Sequence, residues 1–94
     1  MILVTMEGHV TEDCWDELQR AYTDAMTQRP DTILMSLLTQ DSHDPTMWRV
    51  LTVWESHEAL EAYYASGATM PSAYAFHCLG IVPVGTPSEV VAYD

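Results

Sequence analysis

The stretch "MWRVLTVW", residues 47–54, limits the fold more than any other part of the chain. Strand periodicity puts Trp48, Val50, Thr52 and Trp54 on one face and Met47, Arg49, Leu51 and Val53 on the other. Both faces are largely apolar. The strand before it, "DTILMSLLTQ", repeats the pattern, with Leu34 and Leu38 on one face and Ile33, Met35 and Leu37 on the other. An antiparallel sheet with one face in water carries polar residues on that face. This sheet does not, so both faces need cover.

Helices supply one cover. Thr11 suits an N-cap, Glu12 and Asp13 suit the positive end of a helix, and Cys14, Trp15, Leu18, Ala21, Tyr22, Ala25 and Met26 form an apolar stripe that Pro30 ends. Ser56 caps a second helix, Ala59, Leu60, Tyr63 and Tyr64 form its stripe, and Gly67 suits its stop. Thr69, Pro71 and Gly80 bound a short third helix.

Residues 2–7 read as the first strand, with Gly8 ending or bending it, and "DSHDPT" is turn chemistry joining the second strand to the third. After the connection "VPVGTP", the stretch "PSEVVAYD" reads as the last strand. The order β-α-β-β-α-(α)-β predicts an α+β, ferredoxin-like antiparallel sheet with helices on one face, as one domain over residues 1–94. In a chain this short, a second copy is the expected cover for the other face, giving a homodimer.

The charge narrows the partners. Fourteen acidic residues stand against three arginines and no lysine, for a net charge of -11, so nucleic acid and anionic membrane are repelled. No apolar run is long enough to span a membrane. The opening "MILVTMEGHV" lacks the basic region and long apolar run of a signal peptide, so the expected location is cytoplasmic. Cys14 and Cys78 form no C-x-x-C motif and are expected to be buried thiols. Catalytic-serine, phosphate-loop and dinucleotide fingerprints are absent.

Candidate chemistry therefore rests on aromatics and histidines. Trp54 could offer its indole N–H to a carbonyl and its face to a ring; the commoner use of such a residue is core packing. Tyr63 and Tyr64 point in different directions from one helix and are otherwise core and rim. His77, in the apolar "AYAFHCLG", is the first choice for a general base, although histidines on apolar faces are more often structural. His9 could face a pocket mouth or sit in an exposed loop. His43 lies in a turn with Asp41 and Asp44, which explains all three without a metal. His57 and Glu61, four apart, read as a surface pair, because "HEALE" is not a zinc motif.

The segments "LTVWESHEALEAYYAS" and "PSEVVAYD" resemble the antibiotic biosynthesis monooxygenase family. Its members carry a strand ending in Trp or Tyr, an acidic or Lys residue with Ser, a short helix of the "EAFEAY" kind, and a last strand with a Tyr near its close, here Tyr93. The resemblance implies a dimeric α+β barrel. It implies oxidation of a small aromatic or quinol substrate by molecular oxygen, without flavin, haem or metal. The protein would supply a dry pocket, a proton acceptor and hydrogen bonds to a developing oxyanion. On that reading His77 and Trp54 are catalytic, Tyr63, Tyr74, Trp48 and His9 bind the substrate, and no cofactor or metal is used. A haem-degrading branch carries an Asn on the first strand, a Trp on the second helix and a His after it. Here the first strand has no Asn, Tyr63 stands at the Trp position and His77 alone could match, so haem degradation ranks lower. Some relatives use a late Arg, and this chain has no Arg or Lys after Arg49. An isomerase or cyclase using His77, and a non-enzymatic homodimer that binds a small ligand, are the alternatives.

Overall fold

The computed structural model describes residues 1–94. Four strands, β1 (Ile2–His9), β2 (Ile33–Gln40), β3 (Met47–Trp54) and β4 (Val84–Glu89), form one antiparallel sheet in the order β2-β3-β1-β4. A 3-10 turn at Glu12–Cys14 leads into α1 (Trp15–Met26); α2 (His57–Ala65) and α3 (Pro71–His77) follow β3. The fold is the expected α+β, ferredoxin-like arrangement.

All helices lie on one face of the sheet. That face presents Ile2, Val4 and Met6 of β1 and Trp48, Val50, Thr52 and Trp54 of β3, all buried. Leu18 and Ala21 of α1, Leu60 of α2 and Phe76 of α3 pack onto them. In α3 Pro71, Ser72, Ala73, Ala75 and Phe76 are all buried, because α3 packs against α1 as well as β1 and β3. Gly8 permits this approach: a Cβ there would stand 3.2 Å from the Phe76 ring and from Ile81. The strand does not stop at Gly8, which pairs with Trp48, but runs on to His9.

The capping expectations divide. Ser56 Oγ accepts the Ala59 N–H at 3.1 Å, and Gly67 follows α2 with φ +77°. The Thr11 hydroxyl instead donates to Asp13 Oδ1 at 2.5 Å and caps no backbone group, while Met70, not Thr69, is the N-cap of α3.

Two features of the sheet depart from simple alternation. A register shift between Ile33 and Met35 lets Ile33 pair with Trp54 and turn into the core, 4 % exposed, so it shares a face with Leu38 and not with Met35 and Leu37. The last strand is Val84–Glu89, not "PSEVVAYD". Its pairing with β1 runs from Glu7↔Val84 to Ile2↔Glu89, and the Val90 N–H reaches the Met1 carbonyl. Tyr93 therefore lies beyond the strand and is exposed. Pro87 is tolerated because β4 is an edge strand.

The other face carries Leu3, Leu51 and Val53, half-buried, beside Met35 and Leu37, exposed at 51 % and 48 %. Its polar end is a three-residue network in which Arg49 donates to Glu7 at 3.0 Å and to Asp41 at 2.9 Å. No helix is long and apolar enough to cross a membrane. Both cysteines are free; Cys14 is half-buried, but Cys78 is exposed, because it caps the end of α3 beyond the buried stretch.

Candidate functional site

Two recesses flank α2. The first lies between α2 and β4, where the helical layer leaves the edge strand uncovered. Its floor is Ile2, Val4 and Met6, and Leu60 and Tyr64 of α2 face Gly85 and Pro87 of β4 across it. Its volume is about 260 Å³ and its walls are mainly apolar. A dry cavity of about 150 Å³ holds benzene, so this groove has room for one or two rings, with further rings reaching solvent.

Histidine chemistry enters this groove from α2. His57 and Glu61 line it, and His57 Nε2 is hydrogen-bonded to the Glu89 carboxylate of β4. A neutral imidazole that donates from Nε2 to Glu89 leaves Nδ1 as a proton acceptor. The expected surface pairing of His57 with Glu61 is thus replaced by a bond across to Glu89, because β4 runs beside the start of α2.

The second recess, about 270 Å³, lies between the last turn of α1, α2 and the start of α3. Tyr63 and Tyr74 line it with Asp24, Gln28 and Thr69. The Tyr63 hydroxyl donates to the Thr69 carbonyl at 3.2 Å, and its ring leans on Trp54 with centroids 5.3 Å apart at 54°. The neighbouring Cys78 thiol, then burial and the Asp24 carboxylate, hold the Tyr74 phenol above its ordinary value.

The six residues singled out from the sequence do not converge. Tyr63 and Tyr74 share the second recess. Trp54 lies beneath Tyr63, fully buried. Its Nε1 has no protein partner, and neither do Trp48 Nε1, Thr52 Oγ1 and Ser72 Oγ. Trp48 is six residues along β3 from Trp54, roughly 20 Å at the strand rise, and meets Trp15 edge-on at 5.9 Å. His9 shares that far end, exposed, and its Nδ1 lies 3.1 Å from Thr46 Oγ1. His77, the last residue of α3, is exposed and lines neither recess.

The sequence reads His57 and Glu61 as a surface pair and Tyr64 as core or rim, whereas all three line the groove, and Glu89, the partner of His57, goes unremarked there. The first three had a signal: spacings of four and three put them on one side of α2. Glu89 had none, because its place depends on the register of β4. In the β2–β3 turn, Asp41 Oδ2 accepts the His43 and Asp44 N–H groups at 3.0 and 2.8 Å. The Arg49 guanidinium and these two amides hold the Asp41 carboxyl far below the usual range, and the Thr46 hydroxyl and amide lower Asp44.

No protein-family model matches the sequence, and no curated protein matches it. Solved structures do match. A provisionally named antibiotic biosynthesis monooxygenase from Deinococcus radiodurans is 15% identical, with a TM-score of 0.75 over 100% of this chain and 96% of its own. Another, from Caulobacter crescentus, is 20% identical, with a TM-score of 0.75 over 97% and 90% of the two chains. A conserved protein from Methanosarcina mazei is 13% identical, with a TM-score of 0.71 over 93% and 89%. The chain shares the fold of these proteins over nearly its whole length.

Proposed function

We propose that this protein is a cofactor-independent, monooxygenase-like enzyme that binds a small aromatic or quinol substrate in the groove between α2 and β4 and works as a homodimer. Solved proteins of the same fold are provisionally named antibiotic biosynthesis monooxygenases, which supports the monooxygenase part of the reading. The observation that carries the reading is an apolar, ring-sized groove with a carboxylate-paired histidine in its wall. His57 Nδ1 takes the acidic proton of the substrate, and the resulting anion reduces oxygen directly. For an anthrone, a ring CH2 becomes a carbonyl; one oxygen atom enters the product and the other leaves as water with the two hydrogens. The substrate supplies all the electrons. A second copy covers the open sheet face around Leu37 and Leu51.

The test is oxygen uptake and product mass with a panel of one- to three-ring hydroquinones and anthrones. Turnover should fall by about 10²–10⁴-fold in His57→Gln, the range of one general base, and persist in His77→Gln. Loss in His77→Gln alone would move the base to α3. No uptake with any member of the panel would overturn the oxygenase reading.

A further inference from the structure

We propose that the second recess, between α1, α2 and α3, binds a small organic cation, a primary alkylammonium with a short apolar body. Among its lining residues Asp24 is the one carboxylate; the others are aromatic, amide, hydroxyl or apolar. Asp24 makes no ion pair: the protein's salt bridges involve Arg49, His9 and His57. Arg20, one turn back on α1, shares an adjoining recess with Asp24 but forms no ion pair with it, so the carboxylate repels an anion and complements an alkylammonium.

The walls suit the rest of such a ligand. Tyr63 is held in place by its bond to Thr69 and its contact with Trp54, so its ring is presented without a search of rotamers. Tyr74 brings a second phenol ring to the recess. Two tyrosine rings attract a cation through their faces. Gln28 offers an amide oxygen to an ammonium N–H, and Ala25 and Pro71 meet the alkyl body. The net charge of -11 raises the local concentration of any cation. The recess is distinct from the α2–β4 groove, so this inference stands apart from the oxygenase reading.

Butylammonium, butanol and butyrate, titrated into the full chain and followed by amide and tyrosine NMR shifts, test it. Butylammonium should bind saturably, with the largest shifts at Asp24, Gln28, Tyr63 and Tyr74. Butanol and butyrate should not. Asp24→Asn should weaken binding about tenfold, the size of one charge-assisted hydrogen bond, and Tyr74→Leu should weaken it too. Asp16→Asn, which removes one charge elsewhere on α1, should leave it unchanged. Equal weakening by Asp16→Asn, equal binding of butanol, or shifts centred outside the recess would overturn the proposal.

Discussion

Arg49 Nη1 donates to Asp41 Oδ1 at 2.9 Å, tying the start of β3 to the β2–β3 turn. The same carboxylate holds two turn amides, so ionised Asp41 is built into the folded state. Its folded carboxyl titrates well below the ordinary 3.8. A lowered carboxyl stabilises the fold above the unfolded value, and that contribution is lost as pH falls through the folded value. Asp41→Asn should therefore lower Tm at pH 6–7, and its Tm deficit should shrink as the pH is taken below the unfolded 3.8. Thermal melts of both proteins from pH 7 to pH 2 check this. A deficit that is constant with pH would assign the effect to turn geometry alone.

Trp54 is fully buried and Tyr63 closes over it, half-buried. Trp54→Ala should cost about 3–5 kcal/mol, as large-to-small changes in a core do. Trp54→Phe keeps the aromatic packing and removes an indole N–H that has no protein partner, so it should cost much less. Urea unfolding of the two variants separates packing from polarity. Equal losses would show that the N–H has a partner.

The fold was legible in the sequence because its signals are local and redundant: helical stripes, Ser56 and Gly67 at the ends of α2, and alternating β3. The misplaced strand residues are matters of register. Strict alternation put Ile33 beside Met35, and a bulge, which leaves no mark in composition, moved it into the core. The sequence places the last strand at "PSEVVAYD", which holds the β-prone "EVVAY", yet pairing with β1 selects "VGTPSE". Context overrode propensity there. The placement of His77 and His57 shows the same gap. His77 drew attention through its apolar neighbours, but a seven-residue helix buried on most sides leaves His77 at its exposed end. His57 gains its interest from Glu89, 32 residues away, which only the β4 register brings near.

Gly85 lines the α2–β4 groove, and a Cβ there would stand 2.9 Å from Met6 Sδ and 3.0 Å from its Cε. Methionine is flexible, so Met6 should yield by swinging into the groove rather than by unfolding the sheet. Gly85→Val should leave Tm nearly unchanged and raise KM for a ring substrate by about tenfold, within the range for one pocket methylene or so. The effect on kcat should be smaller. Steady-state kinetics with one- and three-ring substrates check this, and the penalty should grow with ring count. Unchanged KM would place the substrate elsewhere.

Leu51 faces away from the helices, in register with Thr5 on one side and Leu37 on the other. A charge at either leucine should spare the core, because the buried side chains of β3 all point the opposite way. If a second copy covers this face, Leu51→Glu and Leu37→Arg should give folded monomers where the native chain is a dimer. A stable dimer needs on the order of 1,200–2,000 Å² of buried surface. This sheet face must supply it against the repulsion of two chains each carrying -11. Added salt screens that repulsion, so dimerisation should strengthen from 20 mM to 300 mM NaCl and the leucine variants should stay monomeric throughout. Sedimentation velocity at both salt concentrations reads the outcome. A native chain that is monomeric at high salt and high concentration would leave the open sheet face without its second copy.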